Sequence, residues 1–443
     1  MPIQQIPDTP LRYFLLCFDK NGRERTNDPD GPRLSERLLS GIAKQSPTDI
    51  FLLSHGWKGD VPAAQEQYNN WIKAMTNCQD DIAEVRSIRT DFRPLIIGFH
   101  WPSLPFGDEE FGNGIAAFDS TASPGIEELV SLYVDRIADS PAARAALKSI
   151  FSSALMDNEP SKLPDDVVRA YAILNQESQL RDEGEGAAPG ADREPFDAEA
   201  AYQNARSSMG DELVNFGGFS LSGVLAPLQQ MSFWKMKDRA RLFGESGGHD
   251  LIRKVQNAVP QAKIHLMGHS FGCIVVSASV AGPPGGTPLP RPVNTLFLVQ
   301  GALSLWSYCS SISHAGGRPG YFRSIFAKHG VSGVIVATTS EYDKAVGRFY
   351  PLGAGVARQV SFAPGELPKY GGLGSFGIQG PDTDATAVDM LAVDQKYAFR
   401  PKGAYNINAD SYICNGQGVA GAHSDIAHPE VAHAYWNAIL AGA

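Results

Sequence analysis

Short apolar runs recur along this chain, each bounded by polar or turn-forming residues. Residues 11–18 (LRYFLLCF), 49–53 (DIFLL), 93–99 (RPLIIGF), 263–267 (KIHLM), 294–300 (NTLFLVQ) and 330–338 (GVSGVIVAT) are short and rich in aliphatic and aromatic side chains. Each predicts a buried strand. Residues 404–410 predict a last, shorter one. Between these runs the period changes. Tyr68, Trp71, Ile72 and Met75 fall close to one helical face within residues 63–76, and residues 247–259 and 429–440 also predict helices, the last with Pro429 in its first turn. Strands alternating with helices predict an α/β protein with a mainly parallel sheet covered on both faces.

The alternation fails from residue 104 to residue 245. There residues 126–154 and 198–214 predict helices, and residues 183–195 (EGEGAAPGADREP), acidic and rich in Gly and Pro, predict a mobile loop. The expected organisation is a core domain of residues 1–103 and 246–443 with a mostly helical cap, 104–245, inserted into it. Apolar cap residues such as Leu129, Tyr133, Ile137, Leu147 and Ile150 are expected to bury against the mouth of the core domain. A side domain used for contacts with another chain is the alternative. Residues 365–381 are Gly-rich and predict no element.

Composition narrows the class of function. The 443 residues are 43% hydrophobic and 19% charged, which fits a globular protein. A net charge of −10 provides no basic excess for nucleic acid or for an anionic membrane surface. No apolar run reaches membrane-spanning length. The first residues lack the basic flank and apolar stretch of a signal peptide. The five cysteines are odd in number, scattered, and without metal-ligand spacing. A reduced cytoplasmic protein is the expectation. No His-Glu-x-x-His, Cys-x-x-Cys or glycine-rich dinucleotide motif occurs, so the motifs imply neither metal nor nucleotide cofactor.

One stretch carries chemistry. The strand at 263–267 runs into Gly268-His269-Ser270-Phe271-Gly272, and Cys273, Ile274, Val275 and Val276 open a helix of small and apolar residues reaching Ala281. A Gly-x-Ser-x-Gly turn between a strand and a helix is tight enough to need glycine on either side of the serine. It would lift Ser270 Oγ above the sheet edge at a helix N-terminus, where N–H groups can meet an oxyanion. The stretch resembles the nucleophile elbow of the α/β-hydrolase superfamily, in a serine esterase or lipase-like form.

The resemblance implies a Ser-His-Asp triad in the chain order Ser, acid, His. His423, in Gly421-Ala422-His423-Ser424-Asp425, follows the last predicted strand and precedes the last helix, as the base does in that family; His428 is a weaker candidate. His269, beside Ser270, reads as a structural or packing residue rather than the base. The acid is expected after the strand at 330–338, which makes it Asp343, with Glu341 its near rival and Asp389, Asp394 and Asp410 further alternatives. Asp343 could instead simply cap the helix beginning at Lys344. The oxyanion hole would combine the N–H groups of Phe271 and of Trp57, the residue after His55-Gly56. Trp57 could also be a core aromatic. Trp101, Leu303 and Trp306, just beyond strand ends, are expected to line the pocket, with a core role equally open. The implied activity is carboxylic ester hydrolysis through an acyl-enzyme, with a small-molecule or lipid-like ester as substrate. An acyltransferase or amidase would use the same triad, and a non-catalytic binding module would keep only the fold.

Overall fold

The computed structural model describes residues 3–26, 33–57, 60–103, 125–157, 159–180, 187–207, 223–349, 367–416 and 420–442. Its strands are β1 (Ile3–Gln5), β2 (Arg12–Cys17), β3 (Asp49–Ser54), β4 (Pro94–His100), β5 (Lys263–His269), β6 (Val293–Val299), β7 (Val331–Thr339), β8 (Ala385–Asp389) and β9 (Ala404–Asn408). They make one nine-stranded sheet in the order β1-β2-β4-β3-β5-β6-β7-β9-β8. Every pairing is parallel except that of the three-residue edge strand β1 with β2.

Side-chain alternation explains why both faces are covered. Ile50, Leu52, Leu266, Leu296 and Leu298 point to one face. They pack there against α1 (Leu34–Gln45), α9 (His249–Ala258) and α10 (Gly272–Ala281). Phe51, Leu53, Met267 and Phe297 point to the other face, against α2 (Val61–Asn77), α3 (Gln79–Ile88) and the closing helix α13 (Pro429–Leu440). A strand buried on both faces reads as a continuous apolar run, which is why the central strands are the clearest in the sequence. The short elements were harder to read. β1 and β8 were not anticipated: β1 has three residues, and three of the five residues of β8 are exposed, so neither carries an apolar run.

The register aligns the strand ends. Ser54 pairs with both Phe99 and Gly268, and His269 with Val299. The segments that follow β3, β4, β5 and β6 therefore leave the sheet side by side along its C-terminal edge.

The insertion differs from its expected form in several places. The helix expected over 126–154 is two, α4 (Ile126–Val134) and α5 (Pro141–Met156). Pro141 sets the break, sitting in the first turn of α5 behind the Ser140 cap. Helices α6 (Asp165–Ser178) and α8 (Ala226–Phe243) were not expected, and α7 is Ala198–Ser207; the predicted extension over 208–214 lies outside the described residues. The expected loop at 183–195 is not a loose one where it is described. Ala187, Ala191, Asp192 and Arg193 are buried, and Asp192 accepts from the fully buried Lys237 of α8 at 2.6 Å. Residues 183–186, and 104–124 at the start of the insertion, lie outside the described residues.

Tyr133, Ile137, Leu147 and Ile150 bury against one another and against Tyr171, Leu228 and Met231, with Leu129 packed at the margin. The insertion thus has a core of its own, so these apolar faces do not need the mouth of the sheet domain to leave water. Helix α8 belongs to both parts. Leu228 and Met231 lie in the insertion core, whereas Met236, Ala240 and Phe243 lie in the sheet core. Within the Gly-rich 365–381, described from Leu367 onward, a short helix α12 (Leu373–Phe376) forms, and α11 (Arg323–Ala327) precedes β7. Among the described residues no helix is long and apolar enough to cross a membrane. All five cysteines are free thiols, four of them buried.

Candidate active site

Strand β5 ends at His269 and α10 begins at Gly272, leaving two residues to reverse the chain. Ser270 takes φ +56°, the left-handed region that a non-glycine residue seldom occupies. The turn is held by Ser270 N–H, which donates to Val299 O, and by Cys273 and Ala302 N–H, which donate to Ser270 O. Gly272 has no room for a side chain: a Cβ there would lie 2.3 Å from Ser54 O. The local geometry follows from packing α10 tightly onto the end of β3.

Three loops then supply one hydrogen-bonded chain. His423 Nε2 lies 2.8 Å from Ser270 Oγ, and its Nδ1 lies 2.8 Å from Asp343 Oδ2. With the carboxylate on Nδ1, the proton sits there and Nε2 is left to accept from the serine hydroxyl. Asp343 is buried. Its other oxygen, Oδ1, accepts the N–H of Val346 at 3.0 Å, so it caps the turn beginning there while Oδ2 faces the imidazole. The helix-capping contact and the contact with the imidazole coexist on one carboxylate. Main-chain bonds tie the acid loop to the base loop: Ala422 N–H donates to Tyr342 O at 2.9 Å and Ala345 N–H to Ala420 O at 3.3 Å. Asp425 fixes the base loop from its far side, accepting from His428 Nε2 and from the N–H groups of Cys414 and Asn415.

The rival residues lie elsewhere. Glu341 is exposed, and its N–H donates to Asp410 Oδ1. Asp389 and Asp394 carry no contact with His423. His428 meets Asp425 and not Ser270.

His269 takes a structural place. Its Nε2 donates to the main-chain oxygen of His423 at 2.8 Å. Burial, and then the neighbouring His423 ring, hold it well below the ordinary histidine range, so it is neutral.

The loop after β3 presses on the elbow. A Cβ at Gly56 would come within 2.7 Å of Ser270 Cβ, so glycine there lets the main chain leading to Trp57 approach Ser270. Among the described residues, no acceptor is bonded to the Phe271 N–H at the mouth of α10. His55, fully buried, braces this loop: Trp101 Nε1 donates to its carbonyl oxygen at 3.2 Å, the two rings stack at 5.7 Å, and its Nε2 lies 3.1 Å from His100 Nδ1. Burial first, and then its histidine neighbour, lower the His55 pKa to about 3, and burial lowers that of His100 likewise, so this pair adds no charge beside Ser270.

A cavity of about 130 Å³ opens on Ser270 and His423. Its apolar wall includes Trp57, Phe233, Phe271, Ala302 and Val346. Trp57 stacks on Phe271 at 5.7 Å, and Phe233 of α8 meets both rings, at 5.6 and 5.2 Å. Trp101, Leu303 and Trp306 are not among the lining residues. Trp101 is turned inward onto His55, Leu303 is in the sheet core, and Trp306 donates to the carbonyl oxygens of Pro368 and Lys369. A place just beyond a strand end identifies the sheet edge, not the direction of a side chain.

Phe233 was not foreseen, because α8 was not. Gln300, whose amide reaches Asp343, was not foreseen either. Its signal was a polar residue closing the apolar run NTLFLVQ. Among the described residues no group of His, Cys, Asp and Glu has the arrangement to hold a metal ion. No protein-family model, curated protein or solved structure matches the chain.

Proposed function

We propose that this chain is a serine hydrolase of the α/β-hydrolase type that cleaves carboxylic esters through an acyl-enzyme. The observation that carries the reading is the chain Ser270 Oγ, His423 Nε2, His423 Nδ1, Asp343 Oδ2, with both contacts at 2.8 Å and the serine on a positive-φ strand-to-helix turn. A buried hydroxyl that only needed a partner would find one without backbone strain.

In this reading His423 Nε2 takes the Ser270 proton as Oγ bonds to the ester carbonyl carbon. The carbonyl oxygen becomes an oxyanion, met by the N–H groups of Phe271 and Trp57 at the positive end of α10. Asp343 steadies the imidazolium. The C–O bond to the alcohol breaks as Nε2 returns the proton to the leaving oxygen. Water, deprotonated by the same nitrogen, then attacks the acyl carbon and releases the acid and Ser270. The apolar cavity wall suits an uncharged acyl group.

A fluorophosphonate probe tests the reading. Labelling of the native chain at Ser270, absent in Ser270→Ala, is the expected result, and no labelling of folded protein would leave a binding module on this fold. A panel of ester, amide and thioester substrates then separates esterase from amidase, and added alcohols report acyl transfer.

A further inference from the structure

The carboxylate of Asp343 has a partner outside the triad. Gln300 follows β6 directly, is completely buried, and takes φ +46°. Its N–H donates to Thr338 Oγ1 at 3.0 Å. One end of its side-chain amide faces two acceptors, Asp343 Oδ2 at 3.0 Å and Gly374 O at 2.9 Å, while the other end faces donors only. Two acceptors fix the amide orientation, because only nitrogen can donate to both. Gly374 O also accepts the N–H of Ser340 at 2.9 Å, and Gly374 N–H donates to Gly301 O at 2.8 Å. Gln300 therefore ties together the segments after β6 and β7 and the helix α12. Oδ2 of Asp343 receives both the imidazole N–H and the glutamine N–H, and Oδ1 receives that of Val346. A carboxylate with donors in these three directions cannot turn about its χ2.

Neither packing nor backbone preference accounts for glutamine here. An apolar residue would suit a buried strand end better, and Gly or Asn would suit the positive φ. What glutamine adds is a donor of the right length. Resting on the serine-hydrolase reading, we propose that Gln300 is a positioning residue that fixes the Asp343 carboxylate against His423 through its side-chain amide.

The test compares Gln300→Asn and Gln300→Glu with the native chain. Asn suits the backbone but is one methylene short of the carboxylate. With p-nitrophenyl acetate, kcat is expected to fall by about 10²-fold at an unchanged KM, as for a misplaced catalytic group. Glu puts a second carboxylate beside Asp343, and two carboxylates this close share a proton. Gln300→Glu should therefore lose activity progressively as pH rises, over a range where the native rate holds. Proton NMR of the resting proteins gives a readout that needs no substrate. The downfield resonance of the His423 Nδ1 proton should move in both variants. Fluorophosphonate labelling of the native chain reports separately on the hydrolase reading. An unmoved resonance in both variants, or a native pH profile and kcat in folded Gln300→Asn and Gln300→Glu, would overturn the assignment.

Discussion

His269 Nε2 donates to the main-chain oxygen of His423 across 2.8 Å, and the two rings stand 4.8 Å apart. The residue before Ser270 thus holds the backbone of the residue whose imidazole bonds to the Ser270 hydroxyl. His269→Gln keeps a donor at about the reach of Nε2, and His269→Leu removes it. The Leu variant is expected to lose about tenfold in kcat, the equivalent of one ordinary hydrogen bond, and the Gln variant to stay near native. Steady-state kinetics on both proteins checks this. Equal losses in the two would mean that ring packing, not the hydrogen bond, is what matters.

Ser270→Ala and His423→Ala should each reduce ester turnover by roughly 10⁴- to 10⁶-fold, since the two act as a unit. Neither change removes a core side chain, so circular dichroism should show the native fold. A folded Ser270→Ala protein with native rates would defeat the mechanism.

Asp343→Asn should cost about 10⁴-fold in kcat, because an amide favours the wrong imidazole tautomer. Glu341→Gln should leave the rate near native, since Glu341 is exposed and makes no contact with His423. A reversed order of damage would reassign the acid.

Phe233 closes the cavity from α8, so Phe233→Ala should shift preference among p-nitrophenyl esters toward longer acyl chains. Leu147, fully buried in the insertion core, gives the contrast. Leu147→Ala should cost about 2–5 kcal/mol of stability and leave the chain-length profile unchanged. A profile that moves with Leu147 but not with Phe233 would contradict this division.

His433, buried in α13, faces an acceptor from each ring nitrogen: Asp81 Oδ2 at Nδ1 and Gln395 O at Nε2, both at 2.7 Å. Burial alone would lower this imidazolium, but the Asp81 hydrogen bond and charge, with the Gln395 carbonyl, outweigh it and raise the pKa above the ordinary value. A raised folded pKa means that the stabilisation is complete below about pH 6.5 and is lost as pH rises through the folded value. The urea midpoint should therefore fall as pH rises above about 6.5, and fall less in His433→Leu. The same drop in both proteins would remove His433 from the account.

What could be read in advance follows from where each signal lives. The central strands show because burial on two faces leaves an unbroken apolar run; Ser270 shows through its Gly-x-Ser-x-Gly turn, whereas Asp343 and His423 were expected only from the chain order that the resemblance implies. Helix α8 was illegible for the opposite reason. It buries Leu228 and Met231 against one core and Met236, Ala240 and Phe243 against another, so no single apolar stripe repeats along it. Phe233 was lost with it. The partners of His269 and Gln300 come from distant segments, and nothing in the local sequence encodes those pairings.

The shared helix α8 also bears on how the chain comes apart. A domain that hangs from a linker can melt alone, and calorimetry then resolves two transitions. Here the insertion cannot unravel without pulling on a helix whose last turns belong to the sheet core, and the buried Lys237–Asp192 pair fastens a second insertion segment to that same helix. Thermal unfolding is expected as one cooperative event in which sheet and insertion are lost together.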